Sequence, residues 1–210
     1  MTTKDRYKML SELDNKYHDP VLRKKQYDEF SPEMKRQIDA YRKVKGDNRH
    51  KRIPKKNAKW DGEEGNSLCR MSGTPRNKNG YNNKDNKSWN QIYRENNIDG
   101  IVFNNGEPDL SPVSKMETKM NFDTDISDKA RQELLGPKPK RTQLHEEFYA
   151  KLAKERNCTV EEIKNFKEKH NLVVYECSDC ETLMLVPREI HDNLTHSGGV
   201  EMYRALNGIL

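Results

Sequence analysis

The segment from Val173 to Gly199 leaves this chain the fewest choices of fold. An apolar run, Val173 to Tyr175, meets a tight polar stretch and is followed by a second apolar run, Leu183 to Val186. Two short apolar runs parted by turn-forming residues predict a β-hairpin. Pro187 suits the first turn of a helix running to about Thr195, and Gly198 and Gly199 suit its end. The expected unit is therefore β-β-α. Cys177, Cys180, His191, His196, Glu176 and Asp179 all fall inside it, so ligand-type side chains are densest here.

Composition limits what can surround that unit. Of 210 residues, 32% are hydrophobic and 35% charged, too little apolar matter for a core along the whole length. The net charge of +5 hides an asymmetry: residues 1–60 carry 18 Lys/Arg against 9 Asp/Glu, and the remainder 21 against 25. A basic arm on a mildly acidic body points to a polyanionic partner, nucleic acid first, with a merely solvated surface as the plainer reading. No apolar stretch reaches the ~20 residues of a membrane span, and the N-terminus lacks the apolar centre of a signal peptide, so synthesis in the cytoplasm is expected. Four cysteines, two of them in a C-x-x-C, fit a reducing compartment and a metal better than a disulfide framework.

Residues 1–45 read as helical, with Tyr27, Phe30, Met34, Ile38 and Tyr41 near the spacing of one helix face and Ser31-Pro32 dividing two helices. That face is expected to pack on the body. Arg42 to Lys59 holds nine Lys/Arg in 18 residues with Asp47 as its one acid, a linker suited to phosphate; Arg49, Lys51 and Arg52 are its candidate nucleic-acid contacts. These features divide the chain into a basic arm and linker, 1–59, and a compact domain, 60–210. Within the domain, Asp99 to Pro112 reads as a strand, an Asn-Gly turn and an extended exit. A further β-like run surrounds Met116 to Phe122. Helices are expected at Asp128–Leu135, at Arg141–Arg156, after the capping box Thr159–Glu162, and from about Val200 to Asn207. The fold class is α+β. His18, His50, His145 and His170 have no motif around them and read as surface or helix-end residues.

Spacing alone admits a zinc site. Cys177-x2-Cys180-x10-His191-x4-His196 lies close to the two-cysteine, two-histidine pattern, in which two thiolates and two imidazoles surround the ion. The His-His step of five turns ~140° on an ideal helix. Either His196 lies beyond the regular helix, or the two imidazoles do not share one ion.

The stretch from Thr182 to Val200, Thr-Leu-Met-Leu-Val-Pro-Arg-Glu-Ile-His-Asp-Asn-Leu-Thr-His-Ser-Gly-Gly-Val, also resembles the C-terminal motif of the HNH/endonuclease VII superfamily. It is most similar to the bacterial toxin nucleases with a Trp-His-His or His-Glu motif. Trp60 to Ser67, Gly100 to Pro112 and Arg141 to Ala153 resemble blocks those domains carry upstream, so the likeness covers roughly Trp60 to Leu206. It implies a ββα-metal (His-Me) finger at 173–199. It also implies hydrolysis of phosphodiester bonds, with DNA the first expectation, assisted by a divalent ion (Mg, Mn, Ni or Zn). By the same resemblance His191, His196 and Glu176 would be metal ligands, and Glu176, His191 and the residue at 175 catalytic. That residue departs from the pattern: Tyr175 stands where the family places a histidine, and at a reference pKa of ~10 a tyrosine is a poor general base. Glu176 or a helix histidine would then act as base, or activity would be reduced or lost. Cys177 and Cys180 would hold a separate structural zinc or simply pack in the turn, and Arg188 is a candidate phosphate contact. The resemblance further implies a toxin of bacterial competition, delivered or secreted, with a cognate immunity protein as partner. A non-catalytic zinc module that binds nucleic acid is the alternative.

Overall fold

The computed structural model describes residues 1–16, 26–45, 53–75, 82–194, 196 and 198–209. The chain folds as an α+β protein, as the sequence predicts, around β7 (Thr182–Pro187). This strand lies between β5 (Met116–Lys119) and β6 (Leu172–Glu176) in an antiparallel sheet, with Leu185 opposite Met116 on one side and Val174 on the other. Both faces of β7 are covered. Leu183 and Leu185 enter one hydrophobic core, while Met184 and Val186 enter a second. Alternation with period two sends neighbours to opposite faces, so a centrally placed strand reads as a continuous apolar run. Each such side chain contributes about 1.5–3 kcal/mol on burial.

The first core is helical. It joins α1 (Thr3–Lys16), α2 (Pro32–Lys45), α4 (Asp128–Leu135), α5 (Thr142–Glu155), α6 (Val160–Lys169) and α8 (Gly199–Leu206) to one face of that sheet. Ile38 and Tyr41 are buried there, and Tyr27, Phe30 and Met34 pack beside them. The N-terminal helices thus lay their apolar side on the body. Buried Thr3 ties down their start, its hydroxyl donating to Asp123 Oδ1 at 3.0 Å, and Lys4 pairs with Glu181 at 2.7 Å.

The second core lies between the two sheets. The other sheet is antiparallel in the order β1 (Ala58–Trp60), β2 (Leu68–Met71), β3 (Ile101–Asn104), β4 (Glu107–Pro108). Its β3–β4 turn is the expected Asn-Gly: Asn105 and Gly106 have φ of 55° and 77°, as a type I′ turn requires. α3 (Trp89–Glu95) covers this core with Trp89 and Ile92, and Ser88 closes a capping box with Gln91. The capping box at Thr159 is also formed.

The helix expected from Pro187 to about Thr195 is shorter. α7 spans Arg188–His191, after which Asn193 and Leu194 donate to the carbonyls three residues back in the tighter 3₁₀ manner. Nor do Gly198 and Gly199 close it, since they begin α8. A Cβ on Gly199 would stand 2.2 Å from the Cys177 carbonyl oxygen, so the glycine is required by close approach of α8 to the hairpin. Among the described residues no helix is long and apolar enough to cross a membrane.

Candidate active site

The β6–β7 turn is fixed by its own polar groups. Asp179 Oδ1 accepts from the backbone N–H of Glu181 and Thr182, at 3.0 and 2.8 Å, and its Oδ2 accepts from the Thr182 hydroxyl. Buried Cys180 takes a left-handed φ of 58°, with its thiol against the carbonyls of Ser178 and Gly199. Cys177 is half-buried against the second core. Among the described residues, no three His, Cys, Asp or Glu side chains are gathered as a group that could hold a metal.

Three rings meet beside this turn. Tyr175 lies 5.7 Å from His191 and 5.3 Å from His196, centroid to centroid, and the two imidazoles are 4.9 Å apart, all in edge-to-face arrangement. His196 reaches His191 because the chain leaves the helix after His191. Tyr175 itself is committed elsewhere. Its hydroxyl donates to Glu107 Oε1 at 3.0 Å, and that oxygen also accepts the Ser178 N–H. Burial, and then the Glu107 charge, push the phenol well above its usual pKa of 10, so it holds its proton at neutral pH.

Both imidazoles are oriented by acceptors. His191 Nδ1 lies 2.9 Å from Asp192 Oδ1. Burial works to raise the Asp192 pKa, but the His191 hydrogen bond and the Arg188 charge outweigh it and bring it below the usual 3.8. An ionised carboxylate can only accept, so Nδ1 carries a hydrogen, and in the neutral form of the ring the lone pair is on Nε2. His196 Nδ1 faces the Leu194 carbonyl at 3.2 Å, which imposes the same tautomer. Two imidazoles 4.9 Å apart, whose neutral rings carry the lone pair on Nε2, have the chemistry of divalent-ion ligands.

Glu176 follows Tyr175 on β6 and is almost fully buried. His145 Nε2 approaches its Oε1 at 2.7 Å, and Arg141 Nε lies 3.3 Å from the same oxygen. Burial alone would raise the Glu176 pKa. The His145 hydrogen bond and then the nearby charges of His145, Arg141 and His191 reverse this and hold it below 4.5. Neither partner is singled out by motif. The available signal is their spacing: Arg141 and His145, four apart at the start of one helix, share a face. Glu107 was equally silent.

Arg188 divides its guanidinium between Asp192, at 3.4 Å, and the Leu172 carbonyl, at 3.5 Å, so it braces the carboxylate that orients His191. Arg49, Lys51 and Arg52 lie outside the described residues. Tyr175 also borders a cavity of about 410 Å³ lined in part by Glu107, Asp109 and Asp179, whose charge would repel a phosphate.

Helices and two antiparallel sheets surround a hairpin, and the paired imidazoles of His191 and His196 stand in the segment that follows it. Comparison with family models shows that residues 100–198 match the family described as the DNase/tRNase domain of colicin-like bacteriocin. The match takes in Glu107, Arg141, His145, Tyr175, Glu176, His191 and His196, and supports a nuclease toxin domain of bacteriocin type in this part of the chain. Comparison with curated proteins and with solved structures finds no match.

Proposed function

We propose that this chain is a metal-dependent endonuclease of the HNH type that cleaves DNA as the toxin domain of a bacterial competition system. The observation that carries the reading is the family match over the segment in which His191 and His196 stand side by side. A delivered nuclease endangers the cell that makes it, so a cognate immunity protein is the partner this reading requires.

A divalent cation would be held by Nε2 of His191 and of His196, and when bound it neutralises charge on the phosphate and the leaving oxygen. The chain's own residues do the rest. Asp192, braced by Arg188, keeps Nε2 of His191 as an acceptor, able to hold the ion or to take a proton from the attacking water. Glu176 supplies a buried negative charge that favours cations at this place. Tyr175 takes no proton at neutral pH and acts as the wall on which both imidazoles rest.

The test is cleavage of supercoiled plasmid by the purified chain with Mg²⁺, Mn²⁺, Ni²⁺ or Zn²⁺, run beside tRNA because the matching family is described for both. Nicked or linear plasmid, lost in His191→Ala and in His196→Ala, is expected. Added imidazole that restores cutting to His191→Ala would assign that ring to proton transfer, whereas failure to rescue would assign it to the ion. Intact plasmid under every metal would overturn the DNase reading, and cut tRNA in its place would reassign the substrate.

A further inference from the structure

Resting on the nuclease reading of this site, we infer that Arg141, with Lys138 and Lys140 on the loop before α5, binds the phosphate backbone of the nucleic acid. Arg141 is 46% exposed while the Glu176 side chain beside it is 9% exposed, so one guanidinium links the buried carboxylate to solvent. Its Nε lies 3.3 Å from Glu176 Oε1, the nearest approach of the pair. Its two terminal nitrogens make no hydrogen bond among the described residues, and a guanidinium fork is matched to phosphate oxygens.

The loop that carries Arg141 is held in place from below. Buried Arg204 donates through Nη1 to the carbonyls of Leu134 and Gly136, at 2.7 and 2.6 Å, and the Lys140 N–H donates to the Glu133 carbonyl at 2.9 Å. Pro137 and Pro139 restrict the backbone between these fastenings. Lys138 and Lys140 are exposed and form no ion pair among the described residues. Three cations thus lie within four residues on the fastened loop that leads into α5, with Arg141 against Glu176, while the cavity bordered by Tyr175 presents Glu107, Asp109 and Asp179. Charge complementarity selects the loop for a polyanion.

The experiment is metal-free binding, measured in EDTA by fluorescence anisotropy with a labelled DNA duplex and with tRNA over a range of salt. Arg141→Ala should weaken binding about tenfold and lower the slope of log K against log salt by about one. Lys138→Ala/Lys140→Ala should lower the slope by up to about two. Arg141→Lys should recover most of the slope, since the charge is retained, and Lys129→Ala on the exposed face of α4 should change neither quantity. Affinity and slope unmoved in both loop variants would overturn the assignment, as would a wild-type chain that binds neither probe. A chain that binds with these losses yet cuts nothing would sink the nuclease reading and leave the phosphate contact standing.

Discussion

His145 Nε2 and Glu176 Oε1 meet at 2.7 Å, joining the first turn of α5 to the last residue of β6. The carboxylate is buried and ionised, so its partners are required: a hydrogen bond to a charged group contributes about 1.5–3 kcal/mol. His145→Ala should destabilise the fold by about 2 kcal/mol, less than the loss of a sole partner because Arg141 remains. Denaturant unfolding at neutral pH measures it. In a Glu176→Gln background the same replacement should cost clearly less, and equal costs in the two backgrounds would remove the coupling.

Tyr175 separates two roles that one side chain could combine. Its ring supports His191 and His196, while its hydroxyl serves Glu107. Tyr175→Phe keeps the ring and should cost about 1 kcal/mol of stability with cutting unchanged. Tyr175→His places an imidazole where the resembled nucleases have one, and should cut as fast as wild type or faster despite a stability loss of about 1–3 kcal/mol from the smaller side chain. Cleavage abolished by Tyr175→Phe would mean that the phenol takes part in the chemistry.

Gly199 lets α8 start directly against the hairpin turn. Its missing Cβ would lie 2.2 Å from backbone, at Cys177 O, which cannot rotate away. Gly199→Ala should therefore displace α8 and destabilise the protein by more than 2 kcal/mol, within the range of overpacked sites. Gly73→Ala supplies the contrast, with no atom within 4 Å of the added carbon and only the strain of its φ of 77° to bear. Melting temperatures of the two variants rank the effects, and a Gly199→Ala protein as stable as wild type would contradict the close approach.

Acid sensitivity is expected where α4 meets α5. Burial works to raise the Glu147 pKa, but hydrogen bonds from the Ser127 hydroxyl and N–H and from Gln143 outweigh it and lower the value from 4.5. A carboxylate with a lowered folded-state pKa stabilises fully above about pH 4.5, and that contribution fades as pH falls through the folded value. Glu147→Gln should lose under about 1 kcal/mol at pH 7 and progressively less below pH 4.5, in unfolding curves taken across that window.

How much of this was legible in the sequence depended on the range of the interactions. The hairpin, the Asn105-Gly106 turn and both capping boxes follow from local chemistry, and the central place of β7 follows from its unbroken apolar run. The end of α7 did not, because tight turns after His191 replace a regular helix. Gly198 and Gly199 suited a helix end, yet their role is set by Cys177, 22 residues before Gly199 in the chain and in contact only after folding. His145 and Glu107 read as ordinary residues for the same reason: each is defined by a partner, Glu176 or Tyr175, that lies 31 or 68 residues away.

Asp192 offers the sharpest test of the paired imidazoles. As a carboxylate it can only accept, and that holds the hydrogen of His191 on Nδ1. Asp192→Asn keeps the shape but adds a donor, so an amide N–H can face Nδ1 and leave Nε2 protonated, unable to hold an ion. Loss of such an orienting partner typically costs about 10–100-fold in metal affinity. Calorimetric titration with Ni²⁺ or Zn²⁺ should show that loss in Asp192→Asn and no measurable site in His191→Ala/His196→Ala. Cys177→Ser/Cys180→Ser should bind as wild type does, since Cys180 is occupied by the carbonyls of Ser178 and Gly199. If removal of the cysteines abolished binding while removal of the histidines did not, the ion would belong to the turn and the imidazole pair would lose its assigned role.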